Sequence, residues 1–161
     1  MLETLYTATP IEQTQIKQFL QEAFPGLKAF YCNFIAGESD PEAGFNAENP
    51  SHILFEVYTD DKKIEFGTQI AIYRTPNSDS EERSMFLAQK MSQKFDLKVL
   101  ITYSHPEDQS PYYVLIFENG IQYLASDIDS NWADDGPELI KILREIELPT
   151  YHFDAMGHLE G

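Results

Sequence analysis

Across the twelve residues from Asp127 to Glu138, side-chain oxygens fall at positions 1, 3, 5, 9 and 12, from Asp127, Asp129, Asn131, Asp135 and Glu138. A hard cation such as calcium takes six to eight oxygens, and carboxylates and an amide at this spacing could supply most of them. Three features work against that chemistry. Trp132 stands at position 6, where a glycine would allow the sharp turn such a loop needs, Pro137 sits just before the last oxygen, and the segment before Asp127 reads as a strand. The same residues have a second use, as an acidic turn that caps a following helix, with Asp134 or Asp135 at the positive end of its dipole. Calcium is the one cofactor these residues suggest. Trp132, the single tryptophan, lies within this acidic stretch. An amphipathic aromatic beside charge suits a binding hot spot as well as it suits a sheet edge.

No residue pattern spells out catalysis. There is no Gly-x-Ser-x-Gly elbow and no phosphate-cradling glycine loop. His52, His105, His152 and His158 show no metal-ligand spacing, and Cys32 has no histidine in a supporting context. As the sole cysteine it cannot form an internal disulfide, and its apolar surroundings predict a buried, inert thiol. A non-enzymatic protein with no catalytic residues is expected.

Charge is the stronger signal. The net charge of −16 is concentrated in two blocks. From Val99 to Ile140 there is no Lys or Arg but eight carboxylates, among them Glu107, Asp108, Asp127, Asp129, Asp134 and Asp135. From Ala29 to Asp61 there are seven carboxylates and again no basic residue. Such a surface repels nucleic acid and anionic membranes and attracts basic proteins or cations. Lys90, Lys94 and Lys98 are the nearest thing to a basic cluster and read as a water-facing helix side. Met1–Pro10 lacks the features of a signal peptide, and no apolar run reaches the roughly 20 residues that span a bilayer. A cytoplasmic location is therefore expected.

These residues need a scaffold. A chain of 161 residues with 42% hydrophobic content can bury a proper core as one domain. A capping-box pattern at Thr9–Glu12 opens a helix that Pro25-Gly26 ends, with Ile16, Phe19, Leu20 and Ala23 inward. Leu27–Ile35 reads as a strand, and Gly37–Pro50 as a long acidic loop. His52–Tyr58 and Ile64–Tyr73 read as paired strands, with Ile64, Phe66, Thr68, Ile70 and Ile72 on one face. A second capping box at Ser78–Glu81 opens a helix with Leu87, Ala88, Met91 and Phe95 inward. Leu97–Tyr103 is a strand, Ser104–Pro111 an acidic loop, and Tyr112–Phe117 and Ile121–Ser126 a hairpin about Asn119-Gly120. Leu139, Ile140, Leu143 and Ile146 space a third helix from about Pro137 to Glu147. The expected fold is α+β in the order α-β-β-β-α-β-β-β-α, a sheet of about six mostly antiparallel strands with three helices, mainly on one face. The order suggests an internal αβββ duplication. Residues 1–149 would form the domain and 150–161 a tail.

The hairpin from Pro111 to Leu124, followed by the acidic run Asp127–Asp135, resembles bacterial toxin-immunity proteins. The resemblance implies a protein that blocks a toxin by binding it, with acidic loops standing in for phosphate in a basic cleft. Glu107, Asp108, Tyr112, Asp127, Asp129, Trp132, Asp134 and Asp135 would make the contact, in a monomer or a homodimer. The element order also looks like that of class I type III secretion chaperones, which are small, acidic and dimeric and hold an extended client.

Overall fold

The computed structural model describes residues 2–62, 65–104, 112–127 and 140–161. Ten strands and two helices are found among them: β1 (Leu2–Thr7), α1 (Gln13–Ala23), β2 (Lys28–Tyr31), β3 (His52–Thr59), β4 (Thr68–Tyr73), α2 (Ser80–Phe95), β5 (Val99–Thr102), β6 (Tyr113–Glu118), β7 (Ile121–Ser126), β8 (Lys141–Glu145), β9 (His152–Phe153) and β10 (Leu159–Glu160). Eight strands form one mixed sheet in the order β2-β3-β4-β1-β5-β6-β7-β8, and β9 and β10 form a small separate hairpin. Every pairing in the large sheet is antiparallel except β2 with β3.

The α+β class is as expected, with differences in detail. The first strand was not foreseen. β1 lies at the centre of the sheet, between β4 and β5. Its core-facing residues are Glu3, Leu5 and Thr7, so two of three buried positions are polar and the usual alternation is hidden. Residues 140–147, read as the end of a third helix, contain β8 instead. Helical spacing and strand use coincide here. The free edge of β7 takes Lys141–Glu145 into its ladder, while Ile140 packs on one face of the sheet and Ile146 on the other. The strand expected from Ile64 starts at Thr68, because Phe66 has a positive φ of 51° and turns away from Ile70 and Ile72. Its ring joins a cluster on the opposite face. The two expected repeats differ as well: β2 and β3 run parallel, whereas β5 and β6 run antiparallel.

Both helices cover one face. Ile16, Phe19 and Leu20 of α1 and Leu87, Ala88 and Met91 of α2 pack on Leu5, Phe55, Ile70, Ile72, Ile101 and Leu115. The other face carries two smaller clusters, one around Leu100, Val114, Ile116 and Ile140, the other around Phe30, Cys32 and Leu54. The Asn119-Gly120 turn is as expected, with both residues at positive φ (52° and 78°).

Residues 150–161 pack onto the helix face. Phe153 meets Phe24 and Phe86 at 6.3 and 5.0 Å between ring centroids. The Gly26 N–H donates to the Ala155 carbonyl at 2.8 Å, and a Cβ on Gly26 would lie 2.5 Å from the Met156 sulfur. Glycine permits that approach. No helix among the described residues is long and apolar enough to cross a membrane.

Candidate partner-binding end of the sheet

Strands β5, β6, β7 and β8 meet at one end of the sheet through ordinary ladder geometry. The Tyr103 N–H donates to the Tyr113 carbonyl (3.3 Å), the Asp127 N–H to the Tyr112 carbonyl (3.0 Å), and Ser126 lies opposite Lys141. Tyr112 and Asp127 are thus neighbours. One follows the acidic segment 105–111 and the other precedes the acidic segment 128–139. Glu107, Asp108, Asp129, Asn131, Trp132, Asp134, Asp135 and Glu138 lie outside the described residues.

Helix α2 brings more negative charge to the same end. Glu81, in its first turn, accepts the Ser104 N–H at 3.2 Å. Burial, and then the Glu81 carboxylate, raise the Tyr103 phenol above its ordinary value, with Arg144 opposing. Burial and then Glu82 and Glu81 raise Tyr151 likewise. Among the described residues, Glu81, Glu82 and Asp127 take part in no ion pair. Tyr112 is 44% exposed. The described part of this end thus brings Glu81, Glu82 and Asp127 near Tyr103, Tyr112 and Tyr151, with Lys141 and Arg144 of β8 beside them.

Asp127 is unusual within it. Its Oδ1 is buried and, among the described residues, has no hydrogen-bond partner, and burial raises its carboxyl above the ordinary value. No group of three or more His, Cys, Asp or Glu able to hold a metal occurs among the described residues.

Two polar clusters elsewhere were not foreseen. Fully buried Glu3 and Arg83 form an ion pair at 2.5 Å. Thr75 donates to Glu3 at 2.6 Å, and Arg83 also donates to the carbonyls of Pro76, Ser78 and Gly157. This knot ties β1, α2 and the C-terminal hairpin together. On the other face, buried Glu56 accepts the Tyr73 hydroxyl and the Ile35 N–H. Burial, and then Glu56, push the Cys32 thiol up to about 11, the reverse of what a nucleophile requires. Neither cluster was signalled by sequence, because each joins residues separated by tens of positions. Glu56 also removes one of the seven carboxylates of the first acidic block from the surface.

A groove of about 480 Å³ runs beside α2, lined by Phe86, Gln89, Lys90, Gln122, Tyr151 and His152. Lys90 sits 5.0 Å from the centre of the Phe86 ring. Lys94 pairs with Glu22 at 2.5 Å and Lys98 with Glu118 at 3.8 Å. The three lysines thus go separate ways and form no track for a phosphate backbone.

No protein-family model, curated protein or solved structure matches this chain.

Proposed function

We propose that this protein is a non-enzymatic, acidic binding domain that occludes a basic partner, as an immunity or inhibitor protein does a toxin. The observation that supports this reading is the 3.0 Å bond between the Asp127 N–H and the Tyr112 carbonyl. It joins the flanks of two segments that hold Glu107, Asp108, Asp129, Asp134 and Asp135 and no basic residue. Glu81 and Glu82 add charge from the first turn of α2. Charge gathered at one end steers a basic partner into encounter and rejects acidic ones. Tyr112 and Trp132 would then supply the desolvated anchors that hold it. Affinity capture from the native host at near-physiological salt, read by mass spectrometry, tests the reading. One basic protein in one-to-one ratio, with its own activity lost in the complex, is the expected outcome. Nothing retained would count against it.

Asp127 favours a second reading, calcium binding. Its buried, unpartnered Oδ1 belongs to the first position of the oxygen series that continues through Asp129, Asn131, Asp135 and Glu138. A cation would satisfy that oxygen and remove the penalty of burying its charge.

A further inference from the structure

The helix-bearing face of the sheet is wider than its two helices. α1 packs over β2 and β3, and α2 over β1, β5 and β6. Beyond α2 this face is closed by residues 146–152, where Ile146, Leu148 and Tyr151 join the core. The groove of about 480 Å³ lies between α2 and that segment. Its size is within the range of small-molecule sites, about 300–1,000 Å³. Phe86, Gln89, Lys90 and Gln93 line it from one side of α2, at i, i+3, i+4 and i+7. The floor is apolar, with buried Met85 and Phe117 and half-buried Leu148. Lys90, Gln93 and His152 are exposed and form a polar rim.

The rim offers donors. Gln122 Nε2 donates to Gln89 Oε1 (2.8 Å) and to the Gly120 carbonyl (3.1 Å). Gln89 thus has its oxygen engaged, and its Nε2 has no acceptor among the described residues. Of the two lysines of α2, Lys94 is taken by Glu22, whereas Lys90 makes no ion pair among the described residues. In a chain with 27 carboxylates, none among the described residues lines this groove. Glu22 and Glu160 line the next hollow, which shares Lys90 and His152 with this one. One free lysine, with Glu160 in that neighbouring hollow, balances a single negative charge and not two.

We propose that this groove binds a small monocarboxylate with an apolar body. The carboxylate accepts from Lys90 Nζ and Gln89 Nε2 at the rim, and the body lies over Met85, Phe117 and Leu148. A charge-assisted bond to lysine holds the head, and burial of the apolar body supplies the rest of the affinity. The proposal does not rest on the partner-binding reading, since neither Lys90 nor Gln89 belongs to the acidic end.

Isothermal titration of the full chain with octanoate and with phenylacetate tests this and separates an acyl body from an aryl one. At least one of the two acids should bind in one-to-one ratio with a millimolar or lower dissociation constant. The matching neutral amide, and the dianion phenyl phosphate, should bind about tenfold more weakly or worse. Lys90→Met keeps an apolar stem over Phe86 and removes the charge, so it should weaken the acid about tenfold or more. Lys98→Met, at a lysine paired with Glu118 elsewhere, should leave binding unchanged. Both lysines are exposed, so circular dichroism should show an unchanged fold. The side-chain amide resonances of Gln89 and Gln122 should shift on binding. Failure of both acids to bind at millimolar concentration would overturn the inference. So would equal affinity for the Lys90→Met protein, for the neutral amide or for phenyl phosphate.

Discussion

At the scale of single residues, burial disfavours the charged form of both Asp127 and Cys32. Asp127 holds a raised carboxyl pKa because the fold penalises its charged form. The sign follows from linkage. Below its ordinary value of 3.8 the group is protonated in both states and contributes nothing; as pH rises through the raised value, the native state loses stability to this group. Asp127→Asn should therefore raise the melting temperature at pH 7 in chelator. At pH 3 it should change little. Calcium should raise the melting temperature of the wild type and not of this variant if the second reading holds. A variant less stable than wild type at pH 7 in chelator would contradict the burial account. Cys32, 1% exposed and with its thiol pushed up to about 11, should react with iodoacetamide at pH 8 about 100-fold more slowly than in denaturant. Reaction at the unfolded rate would contradict that environment. The inert thiol was legible from the apolar run around Cys32. Its neighbour Glu56 was not, since a carboxylate in a strand reads as water-facing until its partners Tyr73 and Ile35 are seen across the fold.

At the scale of elements, the Glu3–Arg83 pair is the joint on which three parts of the chain depend. Removing one partner leaves a buried charge uncompensated, so Arg83→Met should cost about 3–5 kcal/mol in urea unfolding. It should also release the C-terminal hairpin, since the Gly157 carbonyl loses its donor. A loss below about 1 kcal/mol would show that the knot is not what anchors that hairpin. This joint also explains which elements were legible. α1, α2 and the β6–β7 hairpin were, because apolar spacing and Asn-Gly are local signals; the caps differ, since α1 is capped by a Glu12–Gln15 box instead of one from Thr9, and α2 starts after Asp79 with no capping box. β1 was not, because its buried face is Glu3, Leu5 and Thr7, and the polar members are satisfied by Arg83, Thr75 and the Thr9 carbonyl. β8 was misread as helix for a related reason. Ile140, Leu143 and Ile146 have helical spacing, but an open β7 edge decided their conformation, and sequence does not display an open edge. Of the candidate site, the meeting of Tyr112 and Asp127 follows from the hairpin the sequence predicts, whereas the arrival of Glu81 depends on how α2 packs.

At the scale of the whole molecule, negative charge is divided among surfaces with different uses. The Gly37–Pro50 loop exposes Glu38, Asp40 and Glu48, yet Glu42 within it is spent on the β2 edge and on Lys17 at 2.7 Å. The far end of the sheet gathers Glu81, Glu82, Asp127 and the flanks of the second acidic block, with tyrosines between them. β8, which enters the sheet at that same end with Lys141 opposite Ser126, is locally neutral. The central claim is that the second of these surfaces, and not net charge alone, recognises a basic partner. The most direct measurement compares capture of the native partner by two variants of equal charge change, Asp129→Lys/Asp134→Lys and Glu38→Lys/Asp40→Lys, with that by wild type. Loss of capture in the first and near-wild-type capture in the second is the predicted result. Equal capture by both variants, or loss confined to the Glu38→Lys/Asp40→Lys protein, would contradict it.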